Sequence, residues 1–258
     1  MSTKTVWITG ASSGIGREFA RRYARLGFRL ILTARRRDRL ETLAAELRTK
    51  HGTLCRIVPA DLAQDAQVTA LCEALAGERI DLFINNAGFG ACGAFSETDA
   101  GKELSMLRVN VLAMHRLFKF TLRKMEAQGF GTILNVASSA GLLPGGPYMA
   151  GYYASKAYVV SLTRGVAEEL RENRSPVYVC ALCPGPVNTE FNDRAGVVFA
   201  LKGITPEFCV EEALLGMMHH KTVIVPSAFM RLCTGAQKLL PTPLLMPIVA
   251  RQQKKKLG

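Results

Sequence analysis

Residues 5–16 read TVWITGASSGIG, and this stretch decides the fold. The first five residues are β-branched or aromatic and predict a short buried strand, and an amphipathic helical pattern follows the glycines. Glycines spaced Gly-x-x-x-Gly-x-Gly at this junction permit a tight turn and let the backbone approach a pyrophosphate, which a helix N-terminus would bind. An ordinary strand–helix turn is the alternative. The residues expected to contact a nucleotide here are Gly10, Ser12, Ser13, Gly14, Ile15 and Gly16.

Strand-like and helical segments alternate along the rest of the chain. Apolar, β-rich runs predict further strands at residues 29–33, 54–59, 81–84, 131–137, 177–183 and 222–225. Helical patterns separate them, and the longest cover residues 100–128 and 150–173. This alternation predicts a parallel sheet with right-handed crossovers. We therefore expect an α/β fold, a single doubly wound domain (residues 1–226) with a seven-stranded parallel sheet flanked by helices, and a C-terminal extension (residues 227–258).

The formal net charge of +12 is unevenly distributed along the chain. No acidic residue follows Glu212, whereas six Lys or Arg residues lie at or beyond Arg231. Such a balance indicates an anionic partner, which could be a phosphorylated cofactor, an acidic substrate or an anionic membrane surface. A solvated basic surface is the alternative. No recognised nucleic-acid-binding motif accompanies the charge, so we expect no nucleic acid partner.

The chain has seven cysteines, an odd number, scattered among apolar neighbours. Cys180 and Cys183 form a CxxC inside the apolar run VYVCALC, and no second CxxC or histidine pair with ligand spacing completes a metal site. We expect no bound metal and reduced thiols, which indicates a cytoplasmic protein. The first strand begins within a few residues of Met1, and no apolar run reaches roughly 18 residues, so neither a signal peptide nor a membrane span is expected.

The second predicted strand ends in Arg35, Arg36 and Arg37. A carboxylate at this point would bind the 2′-hydroxyl of an NAD ribose, whereas a guanidinium matches a 2′-phosphate. No carboxylate stands at the strand tip, so we expect NADP(H) to be preferred over NAD(H), with Arg35 at the phosphate. The alternative is that these arginines cover a solvated helix start and that Asp38 binds the ribose.

A serine, a tyrosine and a lysine lie together in residues 135–156, NVASSAGLLPGGPYMAGYYASK. Tyr152 and Lys156 are four residues apart, which places them one turn apart on the same face of a helix. The lysine ammonium, together with an oxidised nicotinamide, would lower the pKa of the tyrosine hydroxyl and help it to exchange protons. Ser139 could donate a hydrogen bond to a substrate oxygen as charge develops there. The Tyr–Lys spacing alone is weak evidence for this chemistry, and the nucleotide-binding turn strengthens it.

These motifs together resemble those of the short-chain dehydrogenase/reductase family, over roughly residues 5–225. Residues 9–16, TGASSGIG, are similar to its cofactor fingerprint, and residues 85–88, NNAG, to the motif after its fourth strand. Residues 184–189, PGPVNT, resemble the segment around its nicotinamide. The resemblance implies a Rossmann fold with these further cofactor contacts: Asp61, Leu62, Asn86, Ala87, Gly88, Tyr152, Lys156, Pro184, Gly185, Val187 and Thr189.

The family's catalytic asparagine, serine, tyrosine and lysine map onto Asn110, Ser139, Tyr152 and Lys156. Ser138 and Ser139 are adjacent, and the family's serine-to-tyrosine offset of thirteen selects Ser139. The resemblance implies that Tyr152 protonates a carbonyl oxygen held by Ser139 while NADPH gives hydride to the carbon. Lys156 would lower the pKa of the tyrosine and bind the nicotinamide ribose, and Asn110 would support a water chain. It also implies a homodimer or homotetramer formed through the two long helices.

The residues expected to contact the substrate are Ser139, Leu142, Met149 and Tyr152. Neighbouring apolar residues favour a lipophilic small-molecule ketone over a sugar, unless they only pack their loops on the domain. They are Leu143, Val197, Val198, Phe199 and Leu201. Oxoacyl, steroid-like and xenobiotic carbonyl compounds all fit this description. The alternatives are a catalytically idle nucleotide-binding module and a membrane-surface adaptor.

The C-terminal extension is not required by the family pattern. Prolines 241, 243 and 247 prevent one continuous helix through it. Apolar stretches flanked only by cations could lie on an anionic bilayer as a peripheral membrane contact. The competing interpretation is that the extension packs against the domain or a second subunit.

Overall fold

The computed structural model describes residues 3–191 and 203–254. Its strands are β1 (Thr5–Thr9), β2 (Arg29–Thr33), β3 (Cys55–Ile57), β4 (Leu82–Asn85), β5 (Gly131–Val136), β6 (Val177–Leu182) and β7 (Val223–Ile224). They form one sheet in the order β3-β2-β1-β4-β5-β6-β7, and every neighbouring pair is parallel. The expected seven-stranded, doubly wound α/β domain is thereby confirmed.

Helices cover both faces of this sheet. In the described residues they are α1 (Gly14–Arg25), α2 (Arg37–His51), α3 (Asp65–Ala74), α4 (Ala100–Leu107), α5 (Met114–Gln128), α6 (Ala150–Glu172), α7 (Pro206–Met218), α8 (Ala228–Ala236) and α9 (Thr242–Lys254). A π-helical segment, Arg108–Ala113, joins α4 to α5, so the helix predicted over residues 100–128 is one run with a widened turn at Asn110. Single-turn π-helical segments of this kind are frequent at functional sites.

The sheet is buried on both faces, which explains why its strands are apolar throughout rather than alternating. Along β1, Val6 and Ile8 enter the core cluster beneath α1 and α2. Trp7, between them, points to the opposite cluster and stacks on Phe83 of β4, with ring centroids 4.2 Å apart. The two layers of helices therefore fix β1 and β4 side by side at the centre of the sheet.

The strand order reverses between β1 and β4, because the chain runs outward from β1 through β2 to β3 and then returns to β4. In open parallel sheets such a reversal separates the crossovers and opens a crevice at the carboxyl ends of the two strands. Thr9 and Asn85 are the last residues of these strands. The fold thus places the glycine-rich turn and the NNAG motif at the two sides of one crevice.

The C-terminal extension packs on the same domain, beside that crevice. Its α8 leads through a 3₁₀ turn, Gln237–Leu239, into α9, and the break falls where Pro241 precedes α9. Gln237 donates a hydrogen bond of 2.7 Å from Nε2 to the carbonyl oxygen of Leu142. Leu245 and Val249 of α9 are buried, whereas its opposite face exposes several large apolar side chains. No helix in ranges 3–191 and 203–254 combines the length and apolarity that crossing a bilayer requires.

Candidate active site

The three glycines of the turn after β1 each have a steric reason. Gly10 and Gly14 have φ of +65° and +54°, a backbone conformation that residues other than glycine rarely adopt. A Cβ at Gly16 would lie 2.4 Å from the Gly10 carbonyl oxygen, so only glycine lets α1 begin this close to the strand. The turn therefore leaves a backbone-lined cradle at the N-terminus of α1, as binding of a pyrophosphate requires.

The NNAG motif is joined to the end of β1 by side-chain hydrogen bonds. Asn86 Nδ2 donates to the Thr9 carbonyl oxygen at 2.9 Å, and Thr9 Oγ1 accepts from the backbone N–H groups of Asn86 and Ala87 at 2.9 and 3.1 Å. A Cβ at Gly10 would lie 2.7 Å from Asn86 Nδ2. These contacts keep both walls of the crevice at a fixed separation.

Arg36, rather than Arg35, lies over the glycine-rich turn. Its guanidinium donates to the hydroxyl oxygens of Ser12 and Ser13, both at 3.2 Å, and forms an ion pair of 3.1 Å with Glu190 on the opposite wall. Arg39 forms a second pair with Glu190 at 2.6 Å. Burial alone would raise the pKa of Glu190, but hydrogen bonds from the two arginines outweigh it and lower that pKa. Arg35 is exposed and lines the same crevice, so two cations are available to a 2′-phosphate.

Tyr152 and Lys156 lie on α6 and are both buried, at 8% and 5% exposure. Lys156 Nζ donates a hydrogen bond of 3.0 Å to the carbonyl oxygen of Val136, at the end of β5. It lies 5.9 Å from the centre of the Tyr152 ring. Burial lowers the pKa of Lys156 to about 8, and the nearby Cys183 thiol opposes this only in part. The helix therefore delivers a phenol and a readily deprotonated amine to one place.

The pKa of Tyr152 is raised when the protein groups act alone, whereas the expected lowering needs an oxidised nicotinamide as well as Lys156. Burial raises it to about 12, and the hydrogen bond with Ser138 opposes this only in part. The expected lowering by Lys156 is not found among the protein groups, because a buried phenolate loses more hydration energy than its neighbours return. At neutral pH the hydroxyl is thus protonated and able to donate.

Ser138 is the serine whose hydrogen bonding acts on the pKa of Tyr152, and its Oγ also donates to the Pro184 carbonyl oxygen at 3.4 Å. The choice of Ser139 as the substrate contact stays a prediction. Ser138 lies at the N-terminus of a 3₁₀ turn, Ser139–Leu142, and its Oγ also accepts from the Ala140 N–H at 3.2 Å. The backbone N–H of Ser139 donates to the Pro184 carbonyl oxygen at 2.8 Å. Both serines border the crevice.

Asn110 lies in the π-helical segment and is 1% exposed. Its Nδ2 donates to the Phe89 carbonyl oxygen at 2.9 Å and to Ser155 Oγ at 3.1 Å, and its Oδ1 accepts from the Phe89 N–H at 3.1 Å. A Cβ at Gly88 would lie 3.0 Å from Asn110 Oδ1 and 3.2 Å from Lys156 Nζ. Asn110 therefore fixes the residues after the NNAG motif directly beside the Lys156 amine.

Most of the predicted site residues border one long crevice. Those that do are Gly10, Ser12, Ser13, Gly14, Ile15, Arg35, Asp61, Leu62, Asn86, Ala87, Gly88, Ser139, Met149, Tyr152, Lys156, Pro184, Gly185, Val187 and Thr189. Among the described residues, Gly16 and Asn110 support it from behind, and Leu142 packs against a core cluster with its carbonyl bonded to Gln237. Leu142 is not among the residues that border the crevice, whereas its neighbour Leu143 is, and a substrate contact by Leu142 stays a prediction. The predicted contacts Val197, Val198, Phe199 and Leu201 lie outside the described residues.

Several bordering residues were missed by sequence analysis. They are Arg36, Ser138, Tyr153, Glu190, Phe191, Met230 and Gln253. Arg36 and Ser138 stand next to the predicted Arg35 and Ser139, which also border the crevice. Met230 and Gln253 come from the C-terminal extension, and no local signal marks them. The ring of Phe191 lies against that of Tyr152, with centroids 5.6 Å apart.

Within the described residues, no group of three or more His, Cys, Asp and Glu side chains could hold a metal ion. Cys180 and Cys183 are buried in and directly after β6. Burial raises the pKa of each thiol to about 12, which disfavours the thiolate that a metal would need.

Comparison with known proteins agrees with this geometry. The family model described as short chain dehydrogenase matches residues 4–196. The 7beta-hydroxysteroid dehydrogenase of Collinsella aerofaciens is 29% identical over 80% of this chain and 80% of its own. The granaticin polyketide synthase putative ketoacyl reductase 1 of Streptomyces violaceoruber is 36% identical over 72% and 69%. A short-chain dehydrogenase from Sphingobium yanoikuyae, solved in complex with NADPH, superposes with a TM-score of 0.82 at 34% identity, over 92% and 94% of the two chains.

The chain belongs to the short-chain dehydrogenase family. It is therefore an oxidoreductase that acts on hydroxyl or carbonyl groups and uses a nicotinamide cofactor.

The pKa of Lys156 leads to a stability prediction. Because its pKa is about 8 in the folded protein and near 10.5 when unfolded, the folded state holds a disfavoured buried charge below pH 8. The wild type should gain stability between about pH 8 and 10.5, by at most about 3 kcal/mol from this group. Lys156→Met removes that gain. Urea unfolding measures the free energy of unfolding of both proteins at pH 7 and pH 10. The value for the variant minus that for wild type should fall between these two pH values; a constant difference would contradict the assignment.

Proposed function

We propose that this protein reduces a lipophilic ketone to the corresponding alcohol with NADPH, and that Tyr152 is the general acid. The observation that carries the proposal is the Tyr152 hydroxyl, which is hydrogen-bonded to Ser138 and borders the same crevice as the glycine-rich turn. With its raised pKa the phenol is protonated at neutral pH and so carries the proton that reduction of a carbonyl oxygen needs. The 7beta-hydroxysteroid dehydrogenase and ketoacyl reductase among its relatives support a carbonyl substrate.

The crevice fits a dinucleotide on steric and electrostatic grounds. The cradle at Gly10, Gly14 and Gly16 would be filled by any Cβ, and Arg35 and Arg36 offer cations at its adenosine side. When bound, the nicotinamide supplies hydride to the carbonyl carbon. Ser138 then holds the carbonyl oxygen and Tyr152 gives it a proton. Lys156, with its pKa of about 8, would hold a proton beside Tyr152 from which the phenol can be reprotonated after each turnover.

A 2′-phosphate contact by Arg35 makes a prediction on cofactor choice. Arg35→Ala should raise the KM for NADPH roughly 10- to 100-fold and leave that for NADH almost unchanged, because a charge-assisted hydrogen bond contributes about 1.5–3 kcal/mol. Arg37→Ala is the matched control, since Arg37 is exposed and paired with Glu41 on its own helix. Initial-rate kinetics with both cofactors measure the ratio. An unchanged ratio would assign the phosphate to Arg36 or would favour NAD(H) with Asp38 at the ribose.

The direct test of the proposed function is oxidation of NADPH in the presence of a panel of ketones, aldehydes and 3-oxoacyl thioesters. Turnover with bulky apolar ketones and none with sugars is the expected result. Cofactor binding without turnover on any member would support the idle nucleotide-binding module instead.

We further propose a homodimer or homotetramer, cytoplasmic in location. Exposed apolar side chains on α4, α6 and the segment between α4 and α5 support the oligomer, with Leu104 and Leu112 at 54% and 60% exposure. The outer face of the C-terminal extension also exposes apolar residues, Leu239 at 86% and Leu244 at 61%, on a segment without acidic residues. A peripheral contact with an anionic membrane would cover that face. Light scattering tests the oligomeric state, and sedimentation with anionic vesicles tests the membrane contact.

A further inference from the structure

The last helix places a glutamine at the substrate end of the crevice. Gln253, in the final turn of α9, is 2% exposed, and it borders the crevice together with Met149 and Tyr152. Its Nε2 donates a hydrogen bond to the hydroxyl oxygen of Tyr153, the residue next to the proposed acid. A residue 100 positions away in the chain thus reaches the side of the proposed reaction centre.

The other end of this amide is buried and has no partner. Among the described residues, Gln253 Oε1 is one of three buried side-chain polar atoms without a hydrogen bond, with Arg22 Nε and Thr53 Oγ1. Of these three residues, Gln253 is the one that borders the crevice. An unpaired buried acceptor costs about 1–3 kcal/mol, and buried polar groups are nearly always paired. An acceptor left without a protein partner beside a binding cavity is free to accept a hydrogen bond from a ligand.

The surroundings of Gln253 restrict what that ligand group can be. Tyr153 is a neutral partner, because burial raises the pKa of its hydroxyl well above the usual value. The ring of Tyr153 lies 6.4 Å from that of Tyr152, centroid to centroid. Met149 and Leu143 belong to the apolar cluster that contains Tyr153, and Met230 borders the same crevice. The compartment therefore offers an uncharged acceptor in an apolar surrounding, which suits a neutral donor and disfavours a charged group.

We propose that Gln253 determines substrate specificity by accepting a hydrogen bond from a hydroxyl on the substrate, separate from the carbonyl that is reduced. The proposal rests on the proposed ketone reduction and narrows its substrate class to hydroxyketones. A substrate lacking the hydroxyl leaves Oε1 unpaired, and sites of this kind discriminate strongly against such analogues. A hydroxyl donates to Oε1 while the bond from Nε2 to Tyr153 remains intact.

The test compares matched ketones in the full-length protein. Initial rates with NADPH are measured for 1-tetralone and for its monohydroxy isomers, with wild type, Gln253→Met and Gln253→Leu. Wild type should prefer at least one hydroxylated isomer over 1-tetralone by roughly 10-fold or more in kcat/KM, and both variants should lose most of that preference. The lost preference should come from a fall in kcat/KM for the hydroxylated isomers towards the value for 1-tetralone. Gln64→Met, the same exchange at an exposed position before α3, is the matched control and should keep the wild-type preference.

Three results would overturn the inference. Wild type could show no preference for any hydroxylated isomer, or both folded variants could retain the wild-type preference. An equal loss on all ketones would show that Gln253 only positions Tyr153. Failure of the proposed function looks different, because then none of the ketones, hydroxylated or not, would support NADPH oxidation by wild type. The narrower inference would be rejected with it. Thermal melts identify which variants are folded. Two apolar replacements are made so that the test does not depend on the folding of one variant.

Discussion

Tyr152→Phe is expected to lower kcat for ketone reduction on the order of 10³-fold, because it removes the only proton donor assigned to the carbonyl oxygen. Binding of NADPH should stay nearly unchanged, since the exchange removes one oxygen and leaves the buried ring and the glycine-rich turn in place. Steady-state kinetics measure the first quantity, and titration of cofactor fluorescence measures the second. A loss confined to kcat is the sign of an interaction made in the transition state.

Tyr158→Phe is the matched control for this experiment. Tyr158 lies on the same helix, and its hydroxyl bonds His115 at 2.7 Å on the surface. Its exchange should leave kcat at the wild-type level. Turnover by Tyr152→Phe close to that of the control would assign the proton to another group and remove the basis of the proposed mechanism.

Ser138→Ala is expected to lower kcat on the order of 10²-fold or more, a typical effect of removing one donor from a developing oxyanion. Ser139→Ala should have little effect, because its hydroxyl is not the one bonded to Tyr152. The two exchanges remove the same group from adjacent positions that both border the crevice, so each is the control for the other. The reverse order of effects would restore the assignment that the family offset of thirteen residues gave.

Much of the fold could be predicted because its determinants are local. The β-branched and aromatic residues of TVWIT mark β1, and the glycines after it have no other steric explanation than the observed turn. The alternation of such strands with helices suffices for a parallel sheet. Strand ends shifted by only one or two residues, as at Cys55–Ile57, because the last residues of an apolar run need not be paired.

The finer features of the site depend on quantities that are not local. The choice between Ser138 and Ser139 depends on where the 3₁₀ turn begins, and spacing counts residues without giving that direction. The pKa of Tyr152 depends on how completely the surrounding elements bury it. Gln253 reaches Tyr153 through a packing arrangement of the extension, for which no motif exists. Sequence analysis therefore named many residues that border the crevice, but not those that reach it from distant parts of the chain.

The ion pair between Arg36 and Glu190 has a consequence for engineering of this protein. Glu190 is followed directly by Phe191, whose ring lies on the proposed acid. An exchange made at position 36 or 190 to change the coenzyme would also release the segment that positions this ring. Variants designed to use NADH should therefore be assayed for turnover as well as for cofactor affinity. The same set of variants should include a compensating apolar substitution beside Phe191.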